Sequence, residues 1–426
     1  MASATALVDP GFIAARRERA AASPGELPTF KGTAGWEFTP LPRGFTLDQF
    51  TPAVGGPLPS VEPAHVLPVP EGAVELLQVD AATSDGLAIE DPTSLRSEAV
   101  VLPLDVAAAE HPELVEPHLG TVVPFDDADA FLVDNERRWK GGAFVWVPRG
   151  VKVDVPILLT SVNAVDGTAM HRRTLIVLEE GAEAEVWEQH LSADAESETL
   201  LNTVVEIVVG QNARLRYLNA QDVNEKSLVF GNQRADIARD GTLEWGVLGF
   251  GSATGRVRMV TTLSGPGAEA RVTGAYAPHA RQHIDYDTYQ EHAAENCISN
   301  LAFRGILNDR ASSVWRGMIK VDPGAQQTDG FQDCRNLLLT KRAHADAIPG
   351  LEILANDVRC THAAAIAQID PEQLFYLRSR GLGDAGARRL VIEGFLSELV
   401  ARFGTEGSPL RQSVADALER RLELIL

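Results

Sequence analysis

Residues Ile176–Trp187 read "IVLEEGAEAEVW": an apolar run, a small-residue turn at Gly181 and Ala182, then apolar residues alternating with glutamates. The phrase returns as "EIVVGQNARLRY" at Gly210, "DIARDGTLEWGV" at Gly241 and "TLSGPGAEARVTGAY" at Gly267, with spacings of 29, 31 and 26 residues. Strict alternation marks a strand that buries one face, and glycine or small polar residues turn the chain between strands. A repeat of this length, built of strands, buries its apolar face only by stacking on its neighbours, which predicts a β-solenoid. Evenly spaced hairpins of a β-sandwich share the same signals. The solenoid is favoured by the number of similar turns, because "GILNDRASSVWRG" near Asp309 and "IKVDPGAQQTDG" near Gly324 continue the series. Trp315, Gly317 and Ile319 also alternate there with Val314, Arg316 and Met318.

Outside this core the pattern changes. "GFIAARRERAAA", residues 11–22, reads as a short helix, and the Pro/Gly-rich "SPGELPTF", "TPLPRG" and "TPAVGGPLPSVEP" break regular structure after it. Between about Val66 and Asp105, "AVELLQV" and "EAVVLPLDVA" predict a few strands, and "AAAEHPELVEPHLG" predicts a helix. Beyond Asp370 the period becomes helical. Ala387, Leu390, Val391, Phe395, Leu399 and Phe403 form one stripe, and Val414, Ala417, Leu418, Leu422 and Ile425 a second. The expected division is an N-terminal helix and loop region at 1–120, a β-core at 121–370 and a small helical domain at 371–426. Such a terminal helical pair either covers the last coil or docks a partner.

The chain of 426 residues carries 59 Asp and Glu against 38 Lys and Arg, a net charge of -21. Duplex nucleic acid and anionic membranes both need clustered positive charge, so neither is an expected main partner. Only Cys297, Cys334 and Cys360 are present, with no C-x-x-C, which indicates neither a disulfide framework nor a self-contained zinc or cluster motif. Asp9, Arg16, Arg17, Glu18 and Arg19 interrupt the first thirty residues, and no uncharged run reaches transmembrane length, so a cytoplasmic protein is expected.

No G-x-x-x-x-G-K, H-E-x-x-H or G-x-S-x-G occurs, so a phosphate cradle, a zincin helix and a nucleophile elbow are all missing. "GFGSATG", Gly249–Gly255, has the wrong glycine spacing for a dinucleotide fingerprint and leads into a strand-like run, and is read as a solenoid turn. Two patterns carry metal-ligating side chains. His283, Asp285 and Asp287 fall on one face of a strand and could hold a divalent metal, although alternating polar residues also form an ordinary solvated face. Cys360 and His362 in "RCTHAAAIAQID" likewise share a strand face, as two metal ligands, an activated thiolate, or a buried thiol beside an ordinary histidine. Paired acidic residues on a solenoid also suit a carbohydrate-active enzyme, but such proteins are commonly secreted.

"GGAFVWVPRGVKVDVPI", "HRRTLIVLEEGAEAEV", "NLAFRGILNDRASSVWRGMIKVDPGAQQTDGFQDCRNLLL", "PGLEILANDVRCTHAAAIAQIDPEQLFYLRSRGL" and "ARRLVIEGF" together resemble the SufB/SufD family of iron-sulfur cluster assembly proteins, from about Phe131 to Phe403. Scarce cysteines and the near-N-terminal "GWEFTPL" resemble its SufD branch rather than its SufB branch. The resemblance implies a mainly β protein with a right-handed parallel β-helix core, an N-terminal helix and loop region and a C-terminal helical domain. It implies no enzymatic activity of the chain alone and partnership with a SufB-type paralogue and a SufC-type ABC ATPase in a SufB–SufC–SufD scaffold. The residues implied to contact the ATPase are Leu374, Phe375, Leu377, Arg378, Arg380 and Phe395. His362 matches a histidine implicated at the SufB–SufD interface, and Cys360 the neighbouring cysteine position; both become candidate ligands of a transient iron or nascent cluster, with no cofactor held stably. Thr361, Ala363, Ala365 and Ala367 depart from the family's usual "CSHGATVGQID", which removes two glycines and a threonine hydroxyl after the histidine.

Overall fold

The computed structural model describes residues 9–23, 25–54, 65–84, 99–125 and 129–426. The Pro/Gly-rich stretch at 55–64 and most of the loop before "EAVVLPLDVA" lie outside the described residues. The leading elements are α1 (Gly11–Ala22), β1 (Thr51–Pro52), β2 (Val74–Val79), β3 (Ala82–Thr83), β4 (Val100–Leu102), α2 (Leu104–Glu110), α3 (Pro112–Val115) and α4 (Ala130–Arg138). The helix expected around His111 is therefore two short helices, because Pro112 starts a new first turn and lacks the N–H to continue the old one.

The core that follows alternates strictly between two sheets. One receives β5 (Ala143–Val147), β7 (Thr168–Leu178), β9 (Leu200–Val209), β11 (Leu228–Ile237), β13 (Thr254–Leu263), β15 (His283–His292), β17 (Ser312–Val321) and β19 (His344–Ile353). The other receives β6 (Ile157–Asn163), β8 (Glu183–Ser192), β10 (Arg214–Asp222), β12 (Thr242–Gly249), β14 (Glu269–Tyr276), β16 (Ile298–Leu307), β18 (Thr328–Leu338) and β20 (Val358–Gln368). Every neighbouring pair within these two series is parallel, so the chain winds through about eight solenoid coils. The predicted β-solenoid is the observed fold.

Stacking places equivalent side chains in columns. Val186, Tyr217, Trp245, Val272 and Leu301 follow one another inside the solenoid, one per coil. Most of the interior is continuous and aliphatic. The repeated turns stack as well. Gly181, Asn212, Asp240, Gly267, Asn296 and Gln327 all have positive φ, between 52° and 74°. Each gives its N–H to the corresponding turn one coil on, as Gly181 does to Gln211 and Gly267 to Glu295. Gly, Asn and Asp dominate because this left-handed backbone costs them least. The spacing recognised in the sequence is thus one corner of the solenoid.

After β20 come α5 (Pro371–Ser379), α6 (Asp384–Val400) and α7 (Pro409–Ile425). Helices α6 and α7 do not cover the last coil. They lie along the outer face of the β6–β20 sheet, packing Ile392, Leu396, Leu399, Phe403, Val414, Leu418 and Leu422 against Leu158, Trp187, Leu218, Leu248 and Ile306. The α7 stripe agrees with the sequence pattern. The α6 stripe is rotated: Ile392 and Leu396 are buried, whereas Leu390 is 48% exposed. The sheet, not helical period alone, selects the inward face. On the other sheet, "GWEFTPL" docks through Trp36, which stacks on Phe131 and lies under the Arg256 guanidinium.

Candidate functional site

Cys360 and His362 lie on β20, the final strand of its sheet, which pairs with β18 on one side only. The opposite edge of β19 is also unpaired among the described residues. Cys360 stands opposite Gly330 and His362 opposite Gln332. Both therefore occupy columns that run down the solenoid interior, and Cys360 packs against the small cluster of Ile319, Val321 and Ala325. His362 is exposed and Cys360 half-buried, because no further coil closes over them. Ala364 and Ile366 complete this face, while Ala345, Ala347, Pro349, Leu351 and Ile353 are its counterparts on β19.

The departures from the family pattern now have a place. Thr361, Ala363, Ala365 and Ala367 alternate with the inward residues and belong to the other face of β20. They leave the Cys360–His362 face unchanged.

Beneath that face the interior turns polar. In the column of Val272 and Leu301, the next coil has Gln332 and the last His362. Gln332 gives its amide N–H to the carbonyls of Gly317 and Gly350, but its Oε1 has no partner. His292, in the column of Ile237, Leu263 and Val321, meets Ser299 Oγ at 2.8 Å. Burial holds its imidazole near a pKa of about 4, hence neutral at pH 7. Burial raises the Cys360 thiol, opposed by a hydrogen bond from the Gly330 backbone. Cys334 is deeper and is pushed up to about 12, again by burial, so it is an inert core thiol. Sequence reasoning missed His292, Gln290 and Gln332. Aligning the coils on their turns would have found them, since each interrupts a column of mainly apolar or small residues.

The second sequence candidate has another role. His283, Asp285 and Asp287 do share the outer face of β15. However, Thr39 Oγ1 lies 2.9 Å from His283 Nε2 and donates to Asp285, while Ser312 Oγ lies 2.8 Å from His283 Nδ1. Arg256 bridges Asp285 at 3.3 Å and Asp287 at 2.9 Å, and also donates to the Gly35 carbonyl. The three side chains fasten the "GWEFTPL" segment to the solenoid. Burial still raises Asp285 to about 6, against the opposing pull of Arg256 and Thr39.

The six residues expected to contact the ATPase divide by burial. Phe375 is 74% exposed, and Arg378 and Arg380 are also exposed; Leu374 and Leu377 are half-buried. Phe395 is half-buried against the helical cluster, with the Arg304 guanidinium 5.9 Å from its ring. Helix α5 has no buried residue at all. Among the described residues no helix is long and apolar enough to cross a membrane.

Residues 160–395 match the family model described as the SUF system FeS cluster assembly, SufBD core domain. The chain is similar to the iron-sulfur cluster assembly protein SufD of Escherichia coli (strain K12), with 30% identity over 93% of this chain and 89% of the relative. It is also similar to SufD of Bacillus subtilis (strain 168), 29% identical over 74% and 72% of the two chains. A SufBD family protein of Mycobacterium tuberculosis (strain ATCC 25618 / H37Rv) is 32% identical over 72% and 78%. A matched core that spans most of the solenoid, with SufD proteins among its relatives, establishes that the chain belongs to the SufB/SufD family of iron-sulfur cluster assembly proteins and is most like SufD.

Proposed function

We propose that this chain is the SufD-type subunit of a cytoplasmic SufB–SufC–SufD scaffold, where it supports iron acquisition and cluster formation without catalysing a reaction alone. The observation that carries this reading is the uncapped last coil, which leaves Cys360 and His362 at an unpaired strand edge. An exposed parallel edge of this length is a template for another chain's strand. A SufB-type paralogue docked there completes a site of which this chain supplies half. Iron and the nascent cluster are cargo on this reading. The donor set fits them: thiolate and imidazole both suit iron, and His362 is accessible from the docking side. The exposed α5, with Phe375, Arg378 and Arg380 outward, supplies the surface for the SufC-type ATPase, consistent with the lack of a phosphate loop in this chain.

Co-expression with SufB- and SufC-type partners should recover a complex. Within it, His362→Ala should leave assembly intact and abolish most cluster transfer to an apo-acceptor. Transfer at the parental rate by His362→Ala would remove His362 from the site, and failure of the three chains to co-purify would overturn the subunit assignment.

A further inference from the structure

Three arginines stand in register at one corner of the solenoid. Arg281, Arg310 and Arg342 each lie two residues before a strand of the β5–β19 sheet, and those strands pair through His283, Ser312 and His344. Neighbouring strands are about 4.8 Å apart, so the three positions form a ladder about 10 Å long in the coils next to the open end. Lys341 adjoins the last rung, and all four cations line one open groove with Asp309 and Thr340. All four are exposed, and none of their side chains has a hydrogen-bond or ion-pair partner among the described residues. Asp309 is turned to the Ala280 backbone N–H, from which it accepts at 3.1 Å. Earlier in the same column, Ser252 is uncharged and Lys226 is matched by Glu196 at 2.6 Å. Like charges directly opposite one another destabilise a sheet, yet here they accumulate. Cations left unmatched in a chain of net charge -21 point to counter-charges supplied from outside.

We propose that this ladder docks an acidic, amphipathic α-helix of another protein, with carboxylates at i, i+4 and i+7 on successive rungs. The spacing selects a helix. One helical turn rises about 5.4 Å, close to the strand separation, and seven residues rise about 10.5 Å, close to the length of the ladder. Same-face side chains of an extended segment are about 6.7 Å apart and fall out of step with the rungs. Guanidinium groups take carboxylates through two parallel hydrogen bonds, which fixes the register of the helix as well as its charge. An apolar strip lies at the same corner. Asn308 donates to the Ile425 carbonyl at 2.6 Å and so ties the end of α7 to the turn that carries Arg310, and Leu424 and Leu426 there are 65% and 51% exposed. The groove is open rather than enclosing, which suits a partner's surface and not a small ligand. Nucleic acid and anionic membrane fit poorly, because three rungs neutralise few phosphates while the rest of the chain repels them. The surface uses none of the residues assigned above to the paralogue or the ATPase, and it stands apart from that assignment.

The test uses the full chain alone and a fluorescein-labelled, alanine-based helical peptide with glutamates at i, i+4 and i+7 and leucines beside them. Anisotropy is followed at about 0.05 M and about 0.15 M salt. The parent should bind this peptide at least about fivefold more tightly than one of the same composition whose glutamates are spread around the helix. Arg310→Glu should weaken binding about tenfold or more, whereas Arg43→Glu, the same charge change on the N-terminal segment, should stay within about twofold. Joint replacement Arg281→Gln, Arg310→Gln and Arg342→Gln should also abolish binding while leaving the unfolding midpoint unchanged or raised, since only mutual repulsion is removed. The proposal is overturned by a parent that does not bind, by equal affinity for the two peptides, or by ladder variants that bind like the parent. It is equally overturned if a single-stranded oligonucleotide, inorganic tripolyphosphate or phosphatidylserine vesicles bind more tightly than the peptide and need Arg310, which would assign the ladder to phosphate.

Discussion

The two ends of the solenoid meet the same problem in opposite ways. At its start, β4 runs antiparallel along β5, β2 and β3 extend the sheet beyond β6, and Leu104, Ala107 and Val115 of α2 and α3 pack over Phe144. Buried charges there are matched: Arg173 lies between Glu136 and Glu206, and Glu188 accepts from Arg172, Thr174 and Tyr217. At its finish, β19 and β20 carry edges unpaired among the described residues, and Ile353 and Ile366 are 40% and 46% exposed. A stack of coils needs a cap wherever it meets water. The chain builds one cap itself and leaves the other end open, at the place where Cys360 and His362 lie.

The largest effect belongs to the closed end. Arg173→Ala leaves the buried Glu206 without its cation and Glu136 with Arg16 alone, and should lower stability by about 3–5 kcal/mol in urea unfolding. A loss below about 1 kcal/mol would break the contrast between the ends. Next, Leu178→Ala, at a 1% exposed position, should cost about 2–5 kcal/mol, whereas Ile353→Ala at the open end should cost less than about 1 kcal/mol. Equal losses would mean that the last coil is closed in the isolated chain.

Acid should act next on the matched interior. Burial lowers His190 from 6.5 to about 4, and Arg172 adds to the shift against the opposing Glu188. The folded state then binds fewer protons than the unfolded one between those values. This contribution is fully present above pH 6.5 and is lost as pH falls toward 4, a slope worth up to about 3 kcal/mol. His190→Gln should flatten it, and an unchanged pH profile would show that His190 is not held neutral. The smallest effect on folding belongs to the open edge: Ile366→Lys should change stability by less than about 0.5 kcal/mol yet prevent association with the proposed SufB-type partner. Phe375→Ala should be equally silent in unfolding and weaken only the proposed ATPase contact, by more than about 1 kcal/mol, readable in a pull-down titration.

Much of the fold was legible because its signals are local. The Gly181–Gly267 series marked one corner in coil after coil, since each turn needs at or beside the glycine a residue that tolerates positive φ: Gly181, Asn212, Asp240 and Gly267. Helix α1 and the buried stripe of α7 were equally readable. The face of α6 was not, because Leu390 and Ile392 both satisfy a helical period and only the sheet beneath decides between them. His283, Asp285 and Asp287 had the spacing of a metal site, but their partners, Thr39 and Arg256, come from distant segments that no pattern on β15 reveals.

Read alone, the sequence favours a solenoid over a sandwich by the number of its similar turns, lacks a phosphate loop and sets Cys360 and His362 on one strand face. The folded chain adds that β20 is the final strand of its sheet, that the helices leave its edge uncovered, and that Cys360 and His292, 68 positions apart, both border Gly330. Alternation and turn preference are properties of neighbouring residues, whereas burial, an unpaired edge and the meeting of side chains across the interior exist only once the coils are stacked.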